Sequence, residues 1–285
     1  MSKALVLAAV AYDPKVVTIW SGFRSWLRDR DCAIDVVLHG HYEHLVEDLV
    51  AGRIDVAWCS PLAWVRARRL TSAGPGPDLV PVVMRDTDRD LTSVVLVAAG
   101  SPVTRPVDLR GGTVAVGAMD SPQATLLPVS HLRAAGLGNG YLVVRGFEVG
   151  AGLHGDHIGG ERDAVRALLD RRVDAACLLD ATHLLLAEEG VLQPGTTRVL
   201  TQTEPFDHCI MVARGGADTE AVDRLRSCLL DMSFEDPEAR RLLDLEGLTA
   251  WLPARTDRFA ALEQAVDEAR LYGPDGAVTD RAYRP

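Results

Sequence analysis

No stretch of the chain approaches the roughly 20 consecutive apolar residues of a membrane-spanning helix, so membrane insertion is not expected. Lysine is nearly missing: Lys3 and Lys15 are the only two. Acidic residues number 40 against 30 basic ones, for a formal net charge of −10. That balance argues against a nucleic-acid or anionic-membrane surface, although a local basic pocket can still hold an anion. The five cysteines (Cys32, Cys59, Cys177, Cys209, Cys228) are odd in number and scattered, without Cys-x-x-Cys spacing. They therefore read as small buried residues in reduced form rather than a disulfide framework. Internal repeats and low-complexity segments are also missing.

What remains is ordinary for a globular protein, with 47% hydrophobic and 25% charged residues. A length of 285 residues allows one large domain or two compact ones. Near the start, Lys3 followed by the apolar run Ala4–Ala11 imitates a short signal peptide, but the run reads better as a buried first strand. On that reading the protein is cytoplasmic, or periplasmic or extracellular if a leader precedes this sequence.

Strand-like and helix-like segments alternate from residue 3 onward, which predicts an α/β fold with a parallel sheet. Strands are expected near 3–10, 33–38, 54–58, 79–84, 92–98, 113–118, 141–147, 173–179, 197–202 and 208–213. Helices are expected near 14–30, 42–51, after Ser60-Pro61, from Ser121 to about 135, and at 161–171 and 181–189. The last 70 residues read as nearly all helical.

Three segments resemble one family. Tyr42 leads through Gly52-Arg-Ile-Asp55-Val-Ala-Trp-Cys59 to Ser60-Pro61 and Trp64. Asp108-Leu-Arg-Gly-Gly-Thr-Val-Ala-Val-Gly then enters Asp120-Ser121-Pro-Gln123-Ala-Thr125. Finally, Glu161-Arg162-Asp163-Ala-Val leads to Val173-Asp174-Ala175. In order and spacing this is similar to the phosphonate/phosphate/phosphite-binding family of ABC-transporter solute-binding proteins, over roughly residues 5–215. The resemblance implies a two-lobed type II periplasmic-binding-protein fold with two hinge strands and a helical C-terminus. Lobe one would hold residues 1–98 plus 206–285, and lobe two residues 99–205. Ligand would bind between them, and closure would be a hinge motion. An ABC permease is the implied partner if the protein is exported; no cofactor and no metal are assigned.

The residues support a cleft on physical grounds as well. Ser60, Ser121 and Thr125 stand at helix starts, where unpaired N–H groups and the dipole's positive end favour an anion. Gln123 adds an amide donor, and ordinary N-capping is the alternative for each serine. Tyr42 and Trp64 occupy places where the family sets cleft aromatics, with Trp64 as core filler the alternative. The glycine-rich stretch 150–160 carries His154, Asp156 and His157, able to ligate a metal, bind a ligand, move a proton, or simply face solvent. Arg162 stands where the family has a histidine and offers a bidentate fork, with Asp163 beside it. Asp180 follows a strand end, a place for ligand contacts. Cys59, His208 and Cys209 are the remaining candidates for chemistry, Cys59 because a thiolate before a helix start is stabilised. The expected function is a binding protein closing over a small anion bearing a phosphonate, phosphate or carboxylate group. The alternative is a cytoplasmic enzyme on the same fold, doing lyase- or dehydratase-type acid–base chemistry with His154, His157, Cys59, His208 and Cys209.

Overall fold

The computed structural model describes residues 4–74, 78–138, 141–145 (backbone alone for 142–145), 154 and 159–279. The chain begins with β1 (Leu5–Val10), α1 (Lys15–Arg28), β2 (Ile34–His39), α2 (Tyr42–Val50), β3 (Val56–Cys59), α3 (Pro61–Ala73), β4 (Val80–Pro81) and β5 (Val83–Arg85). Then come β6 (Ser93–Ala98), β7 (Thr113–Val116), α4 (Leu127–Leu132), β8 (Leu142–Arg145), α5 (Gly160–Leu169), β9 (Ala175–Leu179), α6 (Asp180–Glu188) and β10 (Thr197–Gln202). The chain ends with β11 (Ile210–Ala213), α7 (Thr219–Leu230), α8 (Pro237–Glu246), β12 (Trp251–Pro253) and α9 (Ala260–Ala269).

The strands form two five-stranded sheets, β2-β1-β3-β11-β4 and β10-β6-β9-β7-β8, with a two-stranded ribbon β12-β5. The inner strands of each sheet are buried on both faces, so they are nearly continuous apolar runs, whereas the edge strands β2 and β10 are partly exposed. In β1, Leu5, Leu7 and Ala9 enter one core while Ala8 and Val10 enter the other, following the two-residue period of a strand. Val94 and Leu96 are divided from Val95 and Val97 in the same way in β6. The chain crosses between the sheets twice, before β6 and after β10. At the crossing the backbones of Leu91 and Phe206 exchange two hydrogen bonds of 2.8 Å. The molecule is thus two-lobed, as expected.

Three local expectations change. The strand at 79–84 divides: β4 pairs with β11 and β5 with β12, so Pro81, which has no N–H, ends its strand at a sheet edge. The C-terminal region also contains β12, too short to show a period, held by Trp251 packing edge-on against Trp58 and Phe23. The helix after Ser121 begins with a π-helical turn, Pro122–Leu126, and ends with another, Arg133–Leu137, around α4. Pro128 lacks the N–H that would reach the Ala124 carbonyl. That carbonyl accepts instead from Gly117 N–H at 3.2 Å, tying the helix to the end of β7.

Beyond α9 the chain folds into a short hairpin against α3. Gly276 has φ of +78°, and a Cβ there would lie 2.6 Å from Leu70 Cγ and 3.1 Å from the Arg66 carbonyl. Both space and backbone require glycine at this position. Gly276→Ala is expected to lower the free energy of unfolding by about 2 kcal/mol, measured by urea denaturation; a change within experimental error would show that the hairpin is not docked.

Candidate functional site

Two Ser-Pro sequences repeat one device at the C-terminal ends of two strands. After β3, Ser60 is extended and its Oγ accepts from Ala63 N–H at 3.1 Å, with Pro61 at the first helical position. After β7, Ser121 is extended and its Oγ accepts from Ala124 N–H at 3.1 Å, with Pro122 next. Proline at that position removes a donor that would otherwise be orphaned and fixes φ for the helix. One tip belongs to each sheet.

His154 brings the tips together. Its side chain is wholly buried and its φ is +53°, a left-handed conformation uncommon outside glycine. The backbone N–H donates to Asp120 Oδ2 at 3.0 Å, beside Ser121. Nδ1 lies 2.6 Å from Ser60 Oγ, and Nε2 lies 2.8 Å from Glu43 Oε1. Tyr272 O–H donates to the same Glu43 oxygen at 3.0 Å and approaches Nε2 at 3.3 Å. The Tyr42 ring stacks on the imidazole, with centroids 4.9 Å apart and planes inclined by 14°. Tyr42, Glu43, Ser60, Asp120 and Ser121 are all buried around it.

A second polar group sits at the crossing. Arg85 forks onto both oxygens of Asp88 and donates from Nη1 to the Glu246 carbonyl at 2.9 Å. His208 Nδ1 lies 3.3 Å from Asp88 Oδ1 and 3.2 Å from Cys209 Sγ, while its Nε2 lies 3.3 Å from Gln123 Oε1 of the second lobe. Asp88, His208 and Cys209 are close enough together to be considered as metal ligands. Asp88 already spends both oxygens on Arg85, however, and the guanidinium opposes a further cation. Burial would raise the Asp88 carboxyl, but Arg85 and His208 outweigh it and hold it at about 2. Glu246 goes the other way: burial pushes it up to about 7 despite Arg85. On the lobe-two side, Thr92 Oγ1 donates to Asp180 Oδ2 at 2.7 Å and accepts from Gln202 Nε2 at 2.6 Å.

The chain matches, over residues 7–259, the family described as ABC transporter, phosphonate, periplasmic substrate-binding protein. It belongs to that family. Among solved structures it is similar to XAC2383 from Xanthomonas citri bound to ATP, with a TM-score of 0.71 at 18% identity, covering 94% of this chain and 98% of that one. PhnD1 from Prochlorococcus marinus in complex with methylphosphonate gives a TM-score of 0.66 at 16% identity, over 94% and 98%. The aliphatic sulphonate binding protein SsuA from Escherichia coli gives 0.55 at 20%, over 95% and 89%. At these identities the likeness is one of fold. Among the described residues, no helix is long and apolar enough to cross a membrane.

Within this family member, Tyr42, Ser60 and His154 meet as a group, Ser121 adjoins it only through the neighbouring Asp120, and Gln123 and His208 meet at the crossing. Thr125 is close by, but its hydroxyl is spent on the Ala118 carbonyl at 2.7 Å. The structure goes against five candidates. Arg162 does not reach the cleft: it forks onto Glu189 on the outside of the second lobe, and Asp163 pairs with Arg166. The neighbouring Glu161, about 100° further round α5, is the inward residue and accepts from Leu179 N–H at 3.0 Å. Trp64 packs on Phe259 in the first-lobe core. Cys59 is fully buried, and burial pushes its thiol far up, so the helix start yields no thiolate; Cys209 is likewise raised, by burial first and then by Asp88. His157 and Asp156 lie outside the described residues. Glu43, Asp120, Arg85, Asp88 and Tyr272 were not singled out. The first two adjoin Tyr42 and Ser121, the one signal available.

Because Glu246 ionises at about 7 when folded and at 4.5 ordinarily, the folded chain holds more protons between those values. Stability should therefore fall as pH rises from about 4.5 to 7, by roughly 3 kcal/mol. Urea melts at pH 5, 6 and 7 should show this slope in the wild type and its loss in Glu246→Gln. Parallel curves for the two proteins would contradict the burial argument.

Proposed function

We propose that this chain is a substrate-binding protein whose lobes close over a small anion bearing a phosphonate, phosphate or carboxylate group, for delivery to an ABC permease. One observation carries the reading: His154 bonds both Ser60, at one helix tip, and Asp120, the residue before the Ser121 tip of the opposite lobe. Each tip presents the positive end of a helix dipole, and the imidazole, whose two ring nitrogens lie against Ser60 and Glu43, sets how the tips face each other. Glu43 and Asp120 are acceptors when ionised, which favours an oxyanion that keeps a proton to donate over one that is fully stripped. Methylphosphonate, bound by the similar PhnD1 structure, fits this chemistry. Membership of a periplasmic family favours work outside the cytoplasm over the cytoplasmic placement read from the sequence.

For the lobes we place the division at the Leu91–Phe206 bridge. Residues 92–98 then go with lobe two rather than lobe one, which the pairing of β6 with β9 and β10 supports.

The test is calorimetric titration with methylphosphonate, phosphate and an alkylsulfonate. Wild type should bind at least one of them. Ser60→Ala and Ser121→Ala should each raise Kd about ten-fold or more, the usual worth of a hydrogen bond to a charged group. Arg162→Ala should leave Kd unchanged. No binding by wild type, or unchanged affinity in both serine variants, would sink the reading.

A further inference from the structure

Residues 260–279 lie beyond the stretch that matches the family, yet they touch both lobes and reach the candidate site. Helix α9 buries Leu262, Ala265 and Val266. These side chains share one apolar cluster with Leu62 and Val65 of α3, in lobe one, and with Leu126 and Leu127, in lobe two. Ion pairs repeat the arrangement. Asp267 meets Arg69 of α3 at 2.9 Å and Glu263 meets Arg68, while Glu268 meets Arg133 at 3.6 Å, just past α4. A helix fixed to one lobe and packed on the other loses its second set of contacts when the lobes part.

The segment then turns back. Arg270 is left-handed, with φ of +55°. Arg69 Nη1 donates to the Tyr272 and Gly273 carbonyls at 3.0 and 3.3 Å, and Arg66 Nε donates to the Gly276 carbonyl at 3.1 Å. Two arginines of α3 thereby fix a short hairpin whose buried Tyr272 delivers its hydroxyl to Glu43 Oε1, beside His154 Nε2. A carboxylate can only accept, so the tyrosine proton points at Glu43 and restrains where that carboxylate faces the imidazole.

We propose that residues 260–279 form a strap that fastens the closed lobes, with Tyr272 as a positioning residue acting on the binding site through Glu43 and His154. The site contribution rests on the binding-protein reading above; the strap itself does not.

Two experiments separate these. In stopped-flow binding of methylphosphonate, Tyr272→Phe keeps the ring and removes the hydroxyl. It should raise the off-rate about ten-fold and leave the on-rate within about two-fold, the pattern of a contact made after encounter. Its melting temperature should stay close to that of wild type. An unchanged off-rate, with or without a lower melting temperature, would overturn the role of Tyr272. In small-angle scattering without ligand, Arg133→Ala and Glu268→Ala should each enlarge the radius of gyration, and the double variant should add nothing further. Radii identical to wild type would overturn the strap. Should wild type bind no anion, the function proposed above fails, and the scattering result still decides whether the strap exists.

Discussion

A buried imidazole contributed by one lobe and satisfied by the other is the constraint on which this structure turns. A buried polar group left without a partner costs about 1–3 kcal/mol, and His154 has ring atoms within hydrogen-bonding reach of Ser60 and Glu43, both in lobe one. Its own backbone is held by Asp120, in lobe two. Separating the lobes does not orphan these groups, because water replaces each partner. Their net worth is therefore small, about 1 kcal/mol each, while their geometric demand is strict. Apolar contacts such as Leu126 and Leu127 within the first-lobe cluster supply the drive to close, and the polar contacts fix the register in which closure occurs. A closed state balanced in this way suits a protein that must also let go.

The same economy runs through the crossing. Arg85 satisfies Asp88 with two hydrogen bonds and still reaches the Glu246 carbonyl. One guanidinium cannot neutralise two buried acids equally: Asp88 is held down at about 2 while Glu246 rises to about 7. His208 joins this group to Gln123 across the lobes. The hinge is thus wired to the helix tip that Ser121 begins, through side chains rather than through a continuous sheet.

How much of this was legible depended on the range of the signal. Alternation of strand and helix, and Ser-Pro at helix starts, are local patterns, and the elements and both tips followed from them. The parallel sheet they predict is only partly met, because β11 and β6 pair antiparallel with their neighbours, and the two-sheet division came from the family resemblance. Arg162 failed because a one-residue difference in helical phase decides whether a side chain faces in or out. The motif reading fixed the position without fixing the phase, and Glu161 is the inward residue. Trp64 failed for a related reason: α3 is buried on most sides over its first two turns, so no polar stripe marks which face looks at the cleft. Tyr272 had no signal at all. It is 229 residues from Glu43, in a stretch whose composition is that of an ordinary turn, and it meets the site only because Arg66 and Arg69 hold its hairpin down.

Burial also bears on the two cysteines as nucleophiles. A nucleophilic thiol needs a depressed pKa and access to a substrate. Cys59 has a helix start beside it, yet the dipole's half-charge does not match the cost of ionising sulfur in a site closed on every side, and its thiol rises instead. Cys209 stands beside His208, but that imidazole also faces Asp88, itself forked by Arg85. Any base strength there is shared with a carboxylate already satisfied. The features that would make these residues reactive are present in the sequence and are cancelled by packing. A helix dipole is not subject to the same cancellation, because its partial charge needs no ionisation.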